Sequence, residues 1–127
     1  MEKPLESSPP PTLEVVKPAP VSLDHVLDQV CRAYKIETPA GREFLKVALA
    51  NAQLMDRKQR DYGPRNISGF GMFGVVVRMN DKFERIKNLF NNRRKKATNE
   101  GIRDSLRDIS NYANIAIMLD EGSWPKE

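Results

Sequence analysis

The chain has 127 residues, of which 39% are hydrophobic and 30% charged, with a formal net charge of +4. That is enough to bury one modest core but not two, and no stretch approaches the roughly 18 apolar residues of a membrane span. The single cysteine, Cys31, excludes an intramolecular disulfide and a cysteine-built zinc site, and the single histidine, His25, argues against Ser-His-Asp chemistry.

No basic start followed by an apolar run opens the chain, so a cytoplasmic protein is expected. Six prolines (Pro4, Pro9, Pro10, Pro11, Pro18 and Pro20) lie within residues 1–20. Proline fixes φ and lacks an amide donor, so 1–20 is read as a disordered or polyproline-II arm ahead of a folded domain at 21–127.

Beyond the arm the apolar spacing is helical. Ser22 can cap a first helix with Leu23, Val26, Leu27, Val30 and Tyr34 on one side. Thr38-Pro39 opens a second, whose stripe is Leu45, Ala48, Leu49, Ala52 and Met55, running towards Arg60. The segment DYGPRNISGFG (61–71) breaks it, and its glycines would let backbone approach a ligand closely. Met72, Val76, Met79, Phe83, Ile86 and Phe90 then mark a third helix. RRKK (93–96) reads as an exposed loop, and Thr98 or Asn99 can cap a last helix with Ile102, Leu106, Ile109, Ala113 and Ile117 on its apolar face. The expected fold is all-α, a small antiparallel bundle of about four helices. Trp124 is expected to tuck the C-terminus against it.

Residues 42–96 carry 14 Lys/Arg against 5 Asp/Glu, whereas both flanks are acidic. Such a segment suits a phosphorylated ligand or nucleic acid, although few aromatics accompany it. Glu100, Asp104 and Asp108 form a line along the last helix, with Asn111 three residues on. Three like charges in a line repel, and either solvent with Arg103 and Arg107 or a divalent ion, Mg²⁺ or Mn²⁺, would relieve them. On the preceding helix Arg78, Asp81 and Arg85 share a face, with Lys82 and Glu84 adjacent. Arginines there suit phosphate, and Asp81 and Glu84 could join a metal site. Lys58, Asp61 and Tyr62, at the end of the second helix, add a cation, a carboxylate and a ring beside the glycine loop.

The elements K-x-x-DYG (58–63), GFGMFGVVVRMNDKFERIKNLF (69–90) and NEGIRDSLRDISNYANIAI (99–117) resemble, in this order, the nucleotide modification associated domain 1 family. The family is found mostly in phages and prophage-bearing bacteria, which would place the protein in a bacterial host cytoplasm. The layout is also similar to that of the all-α MazG-like nucleoside triphosphate pyrophosphohydrolases, which hold Mg²⁺ with an E-x-x-E pair and a following E-x-x-D. The nearest equivalents here are Asp81-x-x-Glu84 and Asp104-x-x-x-Asp108, with the second spacing one residue longer and Asp in place of the first Glu. Gly101, in the first turn of the last helix, also departs from what a helix prefers.

The resemblance implies a (deoxy)nucleotide-binding protein with Mg²⁺ or Mn²⁺ held by Asp81, Glu84, Glu100, Asp104 and Asp108. Asp81, Asp104 and Asp108 would be catalytic if a phosphoanhydride is hydrolysed. Lys58, Asp61, Tyr62, Arg78, Lys82, Arg85 and Asn111 would bind the nucleotide. The alternatives are a non-catalytic nucleotide binder in a modification system and a nucleic-acid accessory protein. A two-fold homodimer is expected from the small size of the domain, and no membrane partner.

Overall fold

The computed structural model describes residues 2–5, 7–13, 19–92 and 96–126. Among these there are five helices and no strand: α1 (Leu23–Ala33), α2 (Pro39–Tyr62), α3 (Arg65–Ser68), α4 (Gly71–Asn91) and α5 (Lys96–Glu121). The all-α expectation holds, with one short helix more than expected, because a single turn forms inside the glycine- and proline-rich segment. None of the described helices is long and apolar enough to cross a membrane.

The chain divides into two compact units, Met1–Ile36 and Glu37–Glu127. In the first, the described residues before Leu23 form no regular secondary structure. Ser22 caps α1 as expected, its hydroxyl accepting from the His25 amide at 3.2 Å. Leu27 and Cys31 are buried and His25 is exposed.

In the second unit Thr38 Oγ1 accepts from the Gly41 amide at 2.9 Å, and Pro39 takes the first helical position, where its missing donor costs nothing. α2 ends at Tyr62 because Gly63 adopts φ 73°, a left-handed value that glycine reaches without penalty. α4 and α5 run antiparallel along each other: Val75 and Ile115 share a core, while Arg85, further along α4, reaches back to Ser105. Arginines 93 and 94 and Lys95 of the RRKK segment lie outside the described residues. α5 begins at Lys96, ahead of the expected caps Thr98 and Asn99, so both fall within its first turn.

The core is small. Ile67 of α3, Val75 of α4, Ile115 of α5 and Trp124 cluster together, with Met55, Tyr112, Met118 and Leu119 packed against them. Trp124 does tuck in the C-terminus, its Nε1 donating to the Pro64 carbonyl at 3.2 Å.

The apolar stripes expected for α2, α4 and α5 coincide only in part with the faces these helices bury: Ile86 and Ile102 are buried and Leu45, Met55, Met79, Ile109 and Ala113 half-buried, but the other members face out. On α4, Met72, Val76, Phe83 and Phe90 are exposed, and the inward face is Val75, Arg78, Met79, Lys82, Ile86 and Leu89. On α5, Leu106 and Ile117 are exposed, and the buried residues are Ile102, Ser105, Asp108, Asn111 and Ile115. On α2, Leu49 is exposed and Asn51 is buried. Apolar periodicity locates the inward face only when the interior is apolar. Here three helices turn polar and charged side chains towards one another.

Gly101 has its reason in this packing. A Cβ there would come within 3.2 Å of Leu89 Cδ1 and 3.4 Å of the Arg85 guanidinium. Glycine lets α4 and α5 approach closely enough for Arg85 Nη1 to donate to Ser105 Oγ at 2.7 Å and to the Gly101 carbonyl at 3.3 Å.

Candidate functional site

The inward polar residues enclose a cavity of about 350 Å³ between α2, α3, α4 and α5. Its charged lining is Lys58 from α2, Arg78 and Lys82 from α4, and Asp108 from α5. Tyr62 and Tyr112 contribute rings, Gln59, Asn66 and Asn111 contribute amides, and Met55, Ile67 and Ile115 form an apolar floor continuous with the core.

Asp108 is the centre of the charge arrangement. Lys58 Nζ donates to its Oδ1 at 2.7 Å, and Lys82 Nζ stands 3.1 Å from its Oδ2. One carboxylate from α5 therefore holds ammonium groups from two other helices. Burial pushes the Asp108 carboxyl up, but the hydrogen bonds and charges of Lys58 and Lys82 outweigh it and hold the group below the ordinary carboxylate value. Asp108 is ionised at neutral pH. Arg78 is positioned through Nη2, which donates to the Asn66 carbonyl at 2.9 Å and links α4 to the turn after α3's start. Asn111 is fixed by donation from Nδ2 to the Asn51 carbonyl at 3.0 Å, a buried link from α5 to α2.

Of the residues expected to bind a nucleotide, Lys58, Tyr62, Arg78, Lys82 and Asn111 line this one cavity, joined by Asp108. Asp61 and Arg85 do not line it. Arg85 is committed to Ser105 and Gly101, where it clamps α4 to α5. The acidic line divides, because residues four apart on a helix drift about 40° and the ladder winds from solvent into the bundle. Glu100 and Asp104 are exposed, and only Asp108 is buried. Asp81 and Glu84 are exposed on α4, with Glu84 paired to Lys87 at 2.6 Å.

Among the described residues no three Asp, Glu, His or Cys side chains stand together as a group able to hold a metal ion. Asp81, Glu84, Glu100, Asp104 and Asp108 are thus not assembled into one donor set, and the buried member is already engaged by two ammonium groups. The glycines of the 61–71 segment do not line the cavity either: Gly63 and Gly71 serve helix ends, and the segment contributes Tyr62, Asn66 and Ile67 instead.

Sequence reasoning missed Gln59, Asn66 and Tyr112. Gln59 and Tyr112 are visible in hindsight, since each lies one residue from Lys58 or Asn111. Asn66 carries no signal in the sequence, because its place depends on α3.

Residues 58–119 match the nucleotide modification associated domain 1 family. The match spans just under half of the chain. It begins at the cavity lysine Lys58, runs through Arg78, Lys82 and Asp108, and ends in the core at Leu119. Every charged residue of the cavity therefore falls inside the matched segment, as do all its other lining residues except Met55. No curated protein and no solved structure matches the chain.

Proposed function

We propose that this protein binds a (deoxy)nucleotide in the cavity between α2, α3, α4 and α5, gripping phosphate with Lys58, Arg78 and Lys82. The observation that carries this reading is the convergence of three cations from two helices on a pocket of ligand size, two of them held by one carboxylate. An ammonium has three donors, so Lys58 and Lys82 can each bond Asp108 and still present donors to a phosphate oxygen. Arg78 keeps guanidinium N–H groups beyond the one given to Asn66. Tyr62 and Tyr112 offer faces on which a base can stack, and the Gln59, Asn66 and Asn111 amides offer paired donors and acceptors for its edge.

Equilibrium dialysis against ribo- and deoxynucleotides tests the proposal. Lys58→Ala and Lys82→Ala are each expected to weaken binding about tenfold, as loss of one charge-assisted hydrogen bond does. Absence of binding to any nucleotide removes the reading.

Hydrolysis of a phosphoanhydride with Mg²⁺ or Mn²⁺ on Asp81, Asp104 and Asp108 has less support, since these carboxylates are not gathered. Release of pyrophosphate from a nucleoside triphosphate in the same panel would restore it. A nucleic-acid accessory role also has less support, because Lys46, Arg60 and Lys87 pair with Glu43, Asp56 and Glu84, Arg78 and Lys82 turn inward, and Arg85 is engaged by Ser105. Retention on DNA that weakens steeply with salt would favour it. The proposed homodimer is supported by the outward apolar line Phe73, Val76, Phe83 and Phe90 on α4, with Phe73 78% exposed. Sedimentation of the wild type as a monomer would remove that pairing.

A further inference from the structure

Resting on the nucleotide-binding reading, we infer that the cavity selects a nucleoside monophosphate over the corresponding triphosphate, with Asp108 as the specificity-determining residue. Charge balance sets the preference. Lys58, Arg78 and Lys82 bring three positive charges to the lining and Asp108 removes one, leaving two. A phosphate monoester, with its second pKa at about 6, carries about two negative charges at neutral pH and matches that excess. Each further phosphate adds negative charge without a further cation among the lining residues.

The position of Asp108 sharpens the mismatch. Its carboxylate is 9% exposed and lies in the wall, between the two ammonium groups that would meet the phosphate. It acts as a resident anion. One monoester can share Lys58 and Lys82 with it by using their remaining donors, whereas a polyphosphate chain brings additional oxygens against the carboxylate. The cavity, about 350 Å³, lies within the roughly 300–1,000 Å³ of small-molecule pockets. Asp108 makes no contact in this scheme other than through the lysines and the bound anion, so its removal should change selectivity more than affinity for the monoester.

The test is calorimetric titration of the full chain at pH 7.5 in EDTA with each deoxynucleoside 5′-monophosphate, its triphosphate and inorganic phosphate. For the tightest-binding base, the monophosphate is expected to bind at least tenfold more tightly than the triphosphate and than inorganic phosphate. Asp108→Asn should then cut the preference for the monophosphate over the triphosphate at least tenfold. A triphosphate that binds the wild type as tightly as the monophosphate overturns the inference while leaving the nucleotide-binding reading standing. Failure of both to bind overturns the two together. The wild-type comparison is decisive even where the variant folds poorly. A folded Asp108→Asn that keeps the full preference overturns the role of Asp108.

Discussion

Asp108→Asn removes the negative charge that holds Lys58 and Lys82 at the cavity. The side chain joins three helices, through Lys58 of α2 at 2.7 Å and Lys82 of α4 at 3.1 Å. Hydrogen bonds involving a charged group are worth about 1.5–3 kcal/mol each when both partners are dry. They are not dry here, since the lysine side chains retain 47% and 32% exposure against 11% for Asp108. Screening of the exposed ends reduces the expected loss to about 1–2 kcal/mol for the pair. Asparagine keeps the shape and one acceptor, so this loss reflects charge rather than a cavity. For a folded unit of this size it corresponds to a fall in Tm of about 4–16 °C.

The pH dependence gives a second signature. The folded-state carboxyl ionises more readily than it does in the unfolded chain. Its stabilisation is therefore complete above the unfolded value and disappears as the pH falls through the folded one. Urea denaturation of wild type and variant should show a constant gap from pH 8 to about pH 5, closing below about pH 4. A variant as stable as the wild type at neutral pH, or a gap that widens on acidification, would refute the reasoning.

Three other outcomes are expected. Gly101→Val should destabilise by about 1–3 kcal/mol in urea, because the added bulk meets Leu89 and the Arg85 guanidinium at the closest approach of α4 and α5, and an unchanged midpoint would contradict that packing. Asn51→Leu should raise stability by about 1 kcal/mol, since Asn51 is buried and its Oδ1 has no hydrogen-bond partner among the described residues; a loss would mean that the amide oxygen has a use. Trp124→Ala should cost about 3–5 kcal/mol by thermal unfolding followed in the far ultraviolet, as the core cluster loses its largest member and the Pro64 carbonyl its donor, and a cost below 1 kcal/mol would remove Trp124 from the core.

Local signals in the sequence are reliable in this protein where local chemistry decides. The Ser22 and Thr38 caps, the break after Tyr62 and the docking of Trp124 all follow from residues close in the chain or from a single large apolar side chain. Helix orientation is where pattern misleads. Ile86 and Ile102 of the expected stripes are buried, yet Val76, Phe83 and Phe90 on α4 and Leu106 and Ile117 on α5 lie outside, while Arg78, Lys82, Ser105, Asp108 and Asn111 turn in. A polar cavity between the helices breaks the usual pattern at the residues that line it, as a local rule can where several helices contribute to one site.

The acidic ladder shows the same effect at one residue. Glu100, Asp104 and Asp108 share a repeat, but only Asp108 meets cations from other helices, and nothing within α5 distinguishes it. The basic character of residues 42–96 was legible. Its division between the cavity, the Arg85 clamp and surface pairs was not, because that depends on which helix stands opposite.

The most direct test of the account is a structure of the full chain with a nucleoside 5′-monophosphate bound. It is expected to show phosphate oxygens about 2.7–3.2 Å from both Lys58 Nζ and Lys82 Nζ, with Asp108 still between the two ammonium groups and the base against Tyr62 or Tyr112. A phosphate bound away from these lysines, or a cavity left empty at saturating ligand, would contradict it.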